Sequence, residues 1–183
     1  MSIIRPPDPV KFISSIFSSE MDDLAAAVRR LSEEVGHIDY ISELLPFDYT
    51  DYYEEEMGAP LFRRFISFDE LMDPGDLSRI KVFTNTIENQ TISKGKRRVN
   101  IDPGYISEAH LILATGKKYT HRPYIGNGVY ADVTLIYRDH TFQTLEWTYP
   151  DYAGKTVIEM LIRMRKKYLV QLAEVRAVER RIQ

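Results

Sequence analysis

The first half of the chain alternates between strand-like and helix-like hydrophobic patterns. Residues 10–17, 37–47 and 61–71 have strand patterns, and residues 98–102 follow as a fourth strand. Apolar residues at helical spacing predict a helix that ends at Gly36 and another before the fourth strand. The order β-α-β-β-α-β is that of a ferredoxin-like core, an antiparallel sheet with both helices on one face. A doubly wound sheet is the alternative, which the direct succession of the second and third strands disfavours.

Local signals mark the ends and the buried side of the first helix. Ser18 or Ser19 predicts its N-cap, because a hydroxyl can accept a hydrogen bond from a free main-chain amide. Leu24 and Leu31 are the largest residues of its apolar stripe, so we expect them to carry most of its burial.

The second half of the chain predicts a β-hairpin and a long C-terminal helix. Asp102-Pro-Gly104 favours a turn after the fourth strand. Residues 107–114 predict a buried strand, although Ser107 could equally cap a helix there. Residues 129–137 alternate, which predicts a hairpin strand with its odd-numbered residues on one face. The final helix begins near Gly154.

Length and composition indicate one domain. The chain has 183 residues, of which 44% are hydrophobic and 28% are charged, as in an ordinary globular domain. Three prolines in residues 1–9 predict an extended N-terminal arm, and residues 10–183 then form a single α+β domain. A net charge of −3 provides no general attraction to nucleic acid, which is a disfavoured but open partner.

Features that the sequence lacks exclude several classes of function. The chain has no cysteine, which removes disulfides, thiolate metal sites and cysteine nucleophiles. The N-terminal segment lacks the apolar core of a signal peptide, and no apolar run approaches the roughly 20 residues of a membrane helix. These features predict a cytoplasmic protein without a membrane partner. The charged end of the last helix, residues 174–181, could support a homo-oligomer.

The loop after residues 107–114 concentrates basic side chains. Lys117, Lys118, His121 and Arg122 lie there without an acidic residue among them. Ammonium and guanidinium groups bind phosphate and carboxylate, so Lys117 and Arg122 are the predicted anion-binding residues. The alternative is that the cluster pairs with the acidic loop at residues 48–56, or is simply solvated.

His121 is the candidate for general acid–base chemistry, because imidazole titrates near neutral pH. In this hypothesis His121 moves a proton, and Asp102 or Asp132 orients the His121 side chain. Tyrosine has an apolar ring and a polar hydroxyl, which suits the wall of a ligand pocket. The tyrosines predicted to form that wall are Tyr105, Tyr124 and Tyr130.

The acidic loop contains candidates for a metal site. Asp48, Asp51 and Glu54 could supply the oxygen ligands that hard divalent cations require. Their spacing matches no known metal-binding loop, and a solvated acidic loop is the alternative. The sequence leaves the cofactor unknown.

Four peptides resemble a bacterial family of unassigned role, domain of unknown function 4416. They are FDYTDYYEEEMG (47–58), RRVNIDPGY (97–105), HRPYIGNGVYADVTL (121–135) and WTYPDY (147–152). The resemblance extends over nearly the whole chain and implies no established activity. Members are sometimes labelled GTP-binding protein. A P-loop requires Gly, four further residues and Gly-Lys-Ser/Thr, and neither Gly95-Lys96 nor Gly116-Lys117 fits this pattern. We therefore expect no GTP binding of the P-loop type.

Taken together, these features predict binding, with or without turnover, of a small anionic metabolite. A phosphate-bearing or nucleotide-like ligand is the first expectation. The alternative is a non-catalytic module that binds protein or RNA through the C-terminal helix and the tyrosine-rich loops.

Overall fold

The structure is a computed structural model that describes residues 3–182. Residues 3–9 form neither helix nor strand, and residues 1 and 2 of the predicted arm lie outside the described part. The strands are β1 (Val10–Ser18), β2 (Ile38–Ile41), β3 (Leu45–Pro46), β4 (Phe62–Met72), β5 (Val99–Ile106), β6 (His110–Thr115), β7 (Tyr124–Gly126), β8 (Val129–Arg138) and β9 (Thr141–Thr144). The α-helices are α1 (Met21–Glu34), α2 (Glu54–Met57), α3 (Leu77–Gln90), α4 (Pro150–Ala153) and α5 (Lys155–Ile182).

The strands form one sheet in the order β2-β4-β1-β5-β6-β8-β7, with β3 also pairing with β4 and β9 with β8. Each of these pairings is antiparallel. The predicted α+β class, with an antiparallel sheet and a long C-terminal helix, is therefore confirmed. None of the helices in residues 3–182 combines the length and the apolar character needed to cross a membrane.

Two hydrophobic cores cover opposite faces of the sheet. Phe12 and Ile16 of β1 pack into a core with the apolar residues of α1 and α3. Ile13, which points to the other side of the same strand, packs with the apolar stripe of α5. Burial on both faces explains why β1 is buried along its whole length.

The predicted N-cap of α1 is wrong. Glu20 occupies the N-cap position, and its side chain makes no capping hydrogen bond. The Ser18 hydroxyl instead donates to the carbonyl of Arg98, 2.6 Å away, and the Ser19 hydroxyl donates to the carbonyl of Met57. Both hydroxyls therefore donate to tertiary partners, and the N-cap lies at Glu20, one or two residues after the predicted position.

The predicted strand at residues 37–47 is two shorter strands, β2 and β3. Ser42 lies between them, and its buried hydroxyl accepts a hydrogen bond from the main-chain amide of Phe65 on β4. The Ser42 hydroxyl thus takes the place of a main-chain acceptor at this break. The hydrophobic pattern alone did not reveal that the strand is interrupted here. The predicted strand at residues 107–114 is confirmed as β6.

The predicted turn at residues 102–104 is also wrong, because these residues lie inside β5. Gly104 pairs with Leu113 of β6, and a Cβ on Gly104 would lie only 2.3 Å from the main-chain oxygen of Ile112. The glycine is therefore required for the close approach of β6 and does not mark a chain reversal.

Replacing Gly104 with alanine is expected to lower the free energy of unfolding by about 1–3 kcal/mol, the usual cost of overpacking. The clash is with a main-chain atom, which has no freedom to rotate away. Gly116→Ala is the matched control, because no heavy atom lies within 4 Å of its added methyl group. Chemical denaturation of both variants measures the effect, and equal unfolding midpoints would contradict the close approach.

A β-bulge interrupts the predicted alternation of β8. Leu111 of β6 pairs with Leu135, but the next residue of β6, Ile112, pairs with Val133, so Thr134 is an extra residue. The odd-numbered residues therefore do not share one face along the strand. Asp132, which pairs with Leu113, lies on the same face as Leu135 and is buried.

A buried ionic cluster attaches α5 to the sheet. Lys11 of β1 is fully buried, and its ammonium donates to Asp39 of β2 at 2.7 Å and to Gln171 of α5 at 2.9 Å. Burial raises the pKa of Asp39, but hydrogen bonds from Lys11, Lys167 and Ser67 outweigh that effect and hold the pKa at about 2. The ionised carboxylate therefore stabilises the folded chain.

The contribution of Asp39 to stability should depend on pH. Its pKa in the folded chain, about 2, is below the ordinary value of 3.8, so the contribution is complete above the ordinary value and is lost as the pH falls through 2. Between pH 6 and pH 2 we expect the native protein to lose about 2 kcal/mol more stability than Asp39→Asn loses. Urea denaturation across this range measures the difference, and parallel profiles of the two proteins would refute the assignment.

Candidate functional site

The sheet splits between β5 and β6. These two strands pair only from Gly104–Leu113 to Ile106–Leu111, although β5 begins at Val99. The first half of β5 therefore has β1 on one side and, among the described residues, no strand on the other. A split of this kind leaves main-chain groups without ladder partners and opens space between the strands.

Two buried charged residues of α3 occupy the place of the missing strand. The Lys81 ammonium donates to the Ile101 carbonyl at 2.8 Å, and the Ile101 amide donates to a Glu88 carboxylate oxygen at 2.7 Å. Lys81 and Glu88 are seven residues apart, so they lie on the same side of the helix. They satisfy the amide and the carbonyl of Ile101, so the split leaves neither main-chain group of this residue without a partner.

A cavity of about 880 Å³ opens at this split. Its walls come from the end of β1, the start of β4, α3, the first half of β5, the end of β6 with the following loop, and Asp132 of β8. The loop at residues 47–53 and residues 149–152 at α4 complete the enclosure. The volume lies within the range of small-molecule sites, which is about 300–1,000 Å³.

The wall beside α3 is a network of paired charges. Arg97 donates to both carboxylate oxygens of Glu56, at 2.7 and 2.9 Å, and to Glu88 at 3.2 Å. Lys81 lies 3.6 Å from Asp102, which also accepts a hydrogen bond from Asn100. Burial raises the pKa of Glu88. The charges of this wall are thus matched locally, and their main effect is to hold β5 and α3 in position.

The inner end of the cavity contains a buried ion pair set among aromatic rings. Arg63 of β4 lies 2.5 Å from Asp151 of α4, and both side chains are buried. The guanidinium lies 4.2 Å above the ring of Phe47 and 5.5 Å from the ring centre of Tyr152. Because both side chains are buried, water solvates the pair only weakly, so its charges depend on each other.

The mouth of the cavity is exposed and aromatic. Tyr49, Tyr52 and Tyr149 are 51%, 66% and 45% exposed. The ammonium of Lys117 lies 5.0 Å from the ring centre of Tyr52. In the described part of the chain no carboxylate approaches this ammonium within 4.0 Å. Lys117 is therefore a lining cation that is available to an anionic ligand.

His121, Arg122 and Asp132 form a cluster beside the cavity. The Asp132 carboxylate accepts a hydrogen bond from Arg122 at 2.8 Å and lies 3.3 Å from Nε2 of His121. Arg122 also donates to the Tyr149 hydroxyl at 2.8 Å, and the His121 ring stacks on Trp147 at 4.5 Å. The Arg122 side chain is 8% exposed and engaged by these partners. It supports the wall of the cavity and holds Tyr149 in place.

The structure brings several of the predicted site residues together and separates others. Asp102, Asp132 and Lys117 line the same cavity. Tyr105 lies on the opposite face of β5, where its ring contacts Phe12 at 5.8 Å. The remaining predicted wall residues, Tyr124 and Tyr130, contact each other at 5.4 Å and do not line the cavity.

The acidic candidates for a metal site do not form a ligand cluster in the described part of the chain. Asp48, Asp51 and Glu54 are exposed. Within residues 3–182, no group of three or more histidine, aspartate or glutamate side chains is arranged to hold a metal ion. The loop that contains them instead contributes aromatic residues to the wall of the cavity.

Sequence reasoning missed the residues of the inner end and of the charged wall. Arg63 and Asp151 are 88 positions apart, and no local pattern relates them. Lys81 and Glu88 did leave a signal, because both fall on the apolar stripe of α3 beside Ile80 and Ile87. Charged residues at such positions are rarely buried without partners, so they indicated a buried polar contact.

The fold and the site define an α+β protein with a mixed aromatic and ionic cavity. The chain belongs to the family described as domain of unknown function (DUF4416), whose model matches residues 8–168. Searches of curated proteins and of solved structures gave no match.

Proposed function

We propose that the protein binds a small anionic metabolite in the cavity between β5 and β6. The first class of ligand to consider is phosphate-bearing or nucleotide-like. The observation that carries the proposal is the combination, in one cavity of about 880 Å³, of exposed tyrosine rings and a lysine with no carboxylate partner in the described chain. Aromatic rings stack on planar groups, and an ammonium binds an anion.

The side chains have different roles in this proposal. Lys117 contacts the anionic group directly, because it lines the cavity and its ammonium is available. Arg122 positions the wall, since its guanidinium is bonded to Asp132, to the Tyr149 hydroxyl and to the carbonyl of Lys117. Tyr49, Tyr52 and Tyr149 provide ring faces at the mouth.

Turnover of the ligand, in this proposal, uses His121 and Asp132. Asp132 lines the cavity, and its carboxylate oxygen is 3.3 Å from Nε2 of His121, within reach of a hydrogen bond that can orient the imidazole. Asp102 is the less suitable partner for His121, because it is bonded to Asn100 and faces Lys81.

We also propose that the first half of the chain is a ferredoxin-like unit. In support, β2, β4, β1 and β5 are consecutive antiparallel neighbours in the sheet. Helix α1 connects β1 to β2, α3 connects β4 to β5, and both pack into one hydrophobic core. This is the arrangement of a split β-α-β unit.

Removing the charge of Lys117 is expected to weaken anion binding by a factor of about 10 to 100, the equivalent of one charged hydrogen bond of about 1.5–3 kcal/mol. The ligand is first sought by thermal-shift screening of phosphorylated metabolites, including GTP with magnesium. Calorimetry then compares the native protein with Lys117→Met. Lys118→Met is the matched control, because the neighbouring lysine is exposed and does not line the cavity.

The two variants separate a specific site from general attraction. Equal losses of affinity in Lys117→Met and Lys118→Met would mean that the ligand senses only the local positive charge. Unchanged affinity in both would exclude Lys117 as the anion contact.

The alternative, an interaction module without chemistry, is favoured by one observation on α5. Val170 and Val178 are 61% and 55% exposed on this helix. Exposed apolar residues on a long helix suit a protein partner or a second copy of the chain. Sedimentation analysis of the native protein and of Val170→Glu tests this alternative, which requires an oligomer that the substitution dissociates.

A further inference from the structure

We propose that the N-terminal arm, residues 3–9, binds a second copy of the chain. In this arrangement the arm of each protomer lies in a groove beside α5 of its partner, and the exchange is reciprocal. The contact uses a different surface from the cavity between β5 and β6, and it does not depend on the ligand proposed for that cavity.

The groove lies between the end of β4 and α5 and has a volume of about 580 Å³. Three apolar side chains line it, those of Leu71, Val175 and Val178. Val178 is 55% exposed, so the described part of the chain leaves this apolar surface uncovered. The lining also includes four carboxylates, which are Asp69, Glu70, Glu174 and Glu179.

Most of these carboxylates have no cationic partner. Asp69 has Lys167 at 3.7 Å. For Glu70, Glu174 and Glu179, no basic group within residues 3–182 lies closer than 4.0 Å. Unmatched negative charge beside an apolar surface favours an occupant that brings both apolar side chains and a positive charge.

The arm has this chemistry. Ile3 and Ile4 are 77% and 97% exposed. Arg5 follows them, is also exposed, and has no carboxylate within 4.0 Å in the described chain. Removing two neighbouring isoleucines from water is favourable, and a guanidinium can pair with a carboxylate of the groove. The arm and the groove are therefore complementary in both polarity and charge.

The root of the arm explains why the occupant is a second copy. The carboxylate of Asp8 accepts two hydrogen bonds from Arg176 of α5, at 2.7 and 3.3 Å, which fixes the arm where it leaves β1. Pro6 and Pro7 favour an extended backbone, so the arm continues away from its root and does not turn back. The two isoleucines are thereby held away from the groove of their own protomer, in agreement with their exposure.

The same geometry suits a reciprocal exchange. Pro9 lines the groove, so the root of the arm and the groove lie side by side on each protomer. A twofold axis near this region brings each root next to the groove of the partner, and twofold symmetry is the commonest in homo-oligomers. The five residues from Pro9 to Ile4 reach at most about 18 Å, enough for the isoleucines to enter the partner's groove.

This contact differs from a direct pairing of α5 helices. Val170 is exposed on α5 but does not line the groove. It precedes Val178 by eight residues, which places it about 80° away around the helix. A substitution at Val170 therefore changes the exposed face of α5 and leaves the groove intact.

Sedimentation analysis of the full chain, over about a hundredfold range of concentration near the micromolar level, tests the exchange. Small contacts are weak, so we expect a reversible equilibrium between monomer and dimer. Arg5→Glu reverses the charge of the arm, and Glu174→Lys reverses one charge of the groove. Each should raise the dissociation constant about tenfold or more. Val170→Glu is the matched control and should dimerise like the native protein.

A mixture of the Arg5→Glu and Glu174→Lys proteins shows whether arm and groove bind each other. In the mixed dimer one arm and one groove are both native, and in the other contact the two reversed charges attract. The mixture should therefore form dimers at concentrations at which each variant alone is monomeric.

Three results would overturn the proposal. The first is a native protein that stays monomeric over the whole range. The second is a dimer that Arg5→Glu and Glu174→Lys leave intact, or one that Val170→Glu dissociates, because the exposed face of α5 would then make the contact. The third is a pair of variants that dissociate alone and do not recover in the mixture. Anion binding at Lys117 is measured separately, so its presence or absence leaves this test unaffected.

Discussion

Replacing Leu31 with alanine is expected to lower the free energy of unfolding by about 2–5 kcal/mol. Leu31 is completely buried in the core that α1 and α3 form against the sheet, and Leu24 is 3% exposed beside it. The third buried position of the helix is Ala27, which is already small. Removing the Leu31 side chain therefore leaves a cavity that the neighbouring residues have little means to fill.

Val82→Ala is the control for this experiment. Val82 lies on α3 and is 45% exposed, so its truncation should change the stability by no more than about 0.5 kcal/mol. Chemical denaturation of the two variants measures the difference. An unfolding midpoint of Leu31→Ala equal to that of Val82→Ala would mean that α1 presents a different face to the sheet.

Replacing Asp151 with leucine is expected to cost about 3–5 kcal/mol of stability, the largest effect of a single charge that we predict. The substitution leaves the guanidinium of Arg63 buried among Phe47, Phe65 and Tyr152 without its carboxylate. An unpaired buried charge is far more costly than the pair, because water no longer solvates it and no counter-charge replaces the water.

The double variant Arg63→Met/Asp151→Leu tests the cause of this loss. Removing both charges and filling the space with apolar atoms should recover most of the stability that Asp151→Leu loses. A double-mutant cycle by urea denaturation gives the coupling free energy directly. If the two single losses simply add, Arg63 and Asp151 are not an interacting pair in solution.

The elements that were predictable from the sequence are those whose hydrophobic period is uninterrupted. Helix α1 and strand β1 follow their patterns closely, and the C-terminal helix begins at Lys155, next to the predicted Gly154. The errors arose where a tertiary contact overrode a local signal. Pro103 and Gly104 resemble a turn locally, but Gly104 is required for the approach of β6, which lies elsewhere in the chain.

The candidate site was less predictable, because its parts are distant in sequence. The loop at residues 117–122 and Asp132 were visible as a cluster of basic residues followed by an acid. The β-bulge at Thr134 decides which residues of β8 lie on the same face as Asp132. The alternating hydrophobic pattern gave no sign of this bulge. The pairing of Arg63 with Asp151 depends on the docking of α4 against β4, which is a property of the whole fold.

The prediction of Arg122 as an anion-binding residue illustrates a general limit. A basic residue in an acid-free loop has no partner nearby in sequence, but Arg122 finds one ten residues further on, in Asp132. Lys117 has no such partner in the described chain, where the ring of Tyr52, and not a carboxylate, lies beside its ammonium. Its ammonium is therefore available to a ligand. The sequence predicted anion binding equally for Lys117 and Arg122. The fold pairs Arg122 with Asp132 and leaves Lys117 without a carboxylate partner in the described chain.

A crystal structure of the protein with the best compound from the thermal-shift screen tests the central claim most directly. We predict electron density for the compound in the cavity between β5 and β6, beside Tyr149 and Asp102. Its anionic group should lie within hydrogen-bond distance of Nζ of Lys117, about 2.7–3.2 Å. Density elsewhere on the surface, or a compound in the cavity whose anionic group avoids Lys117, would contradict the account.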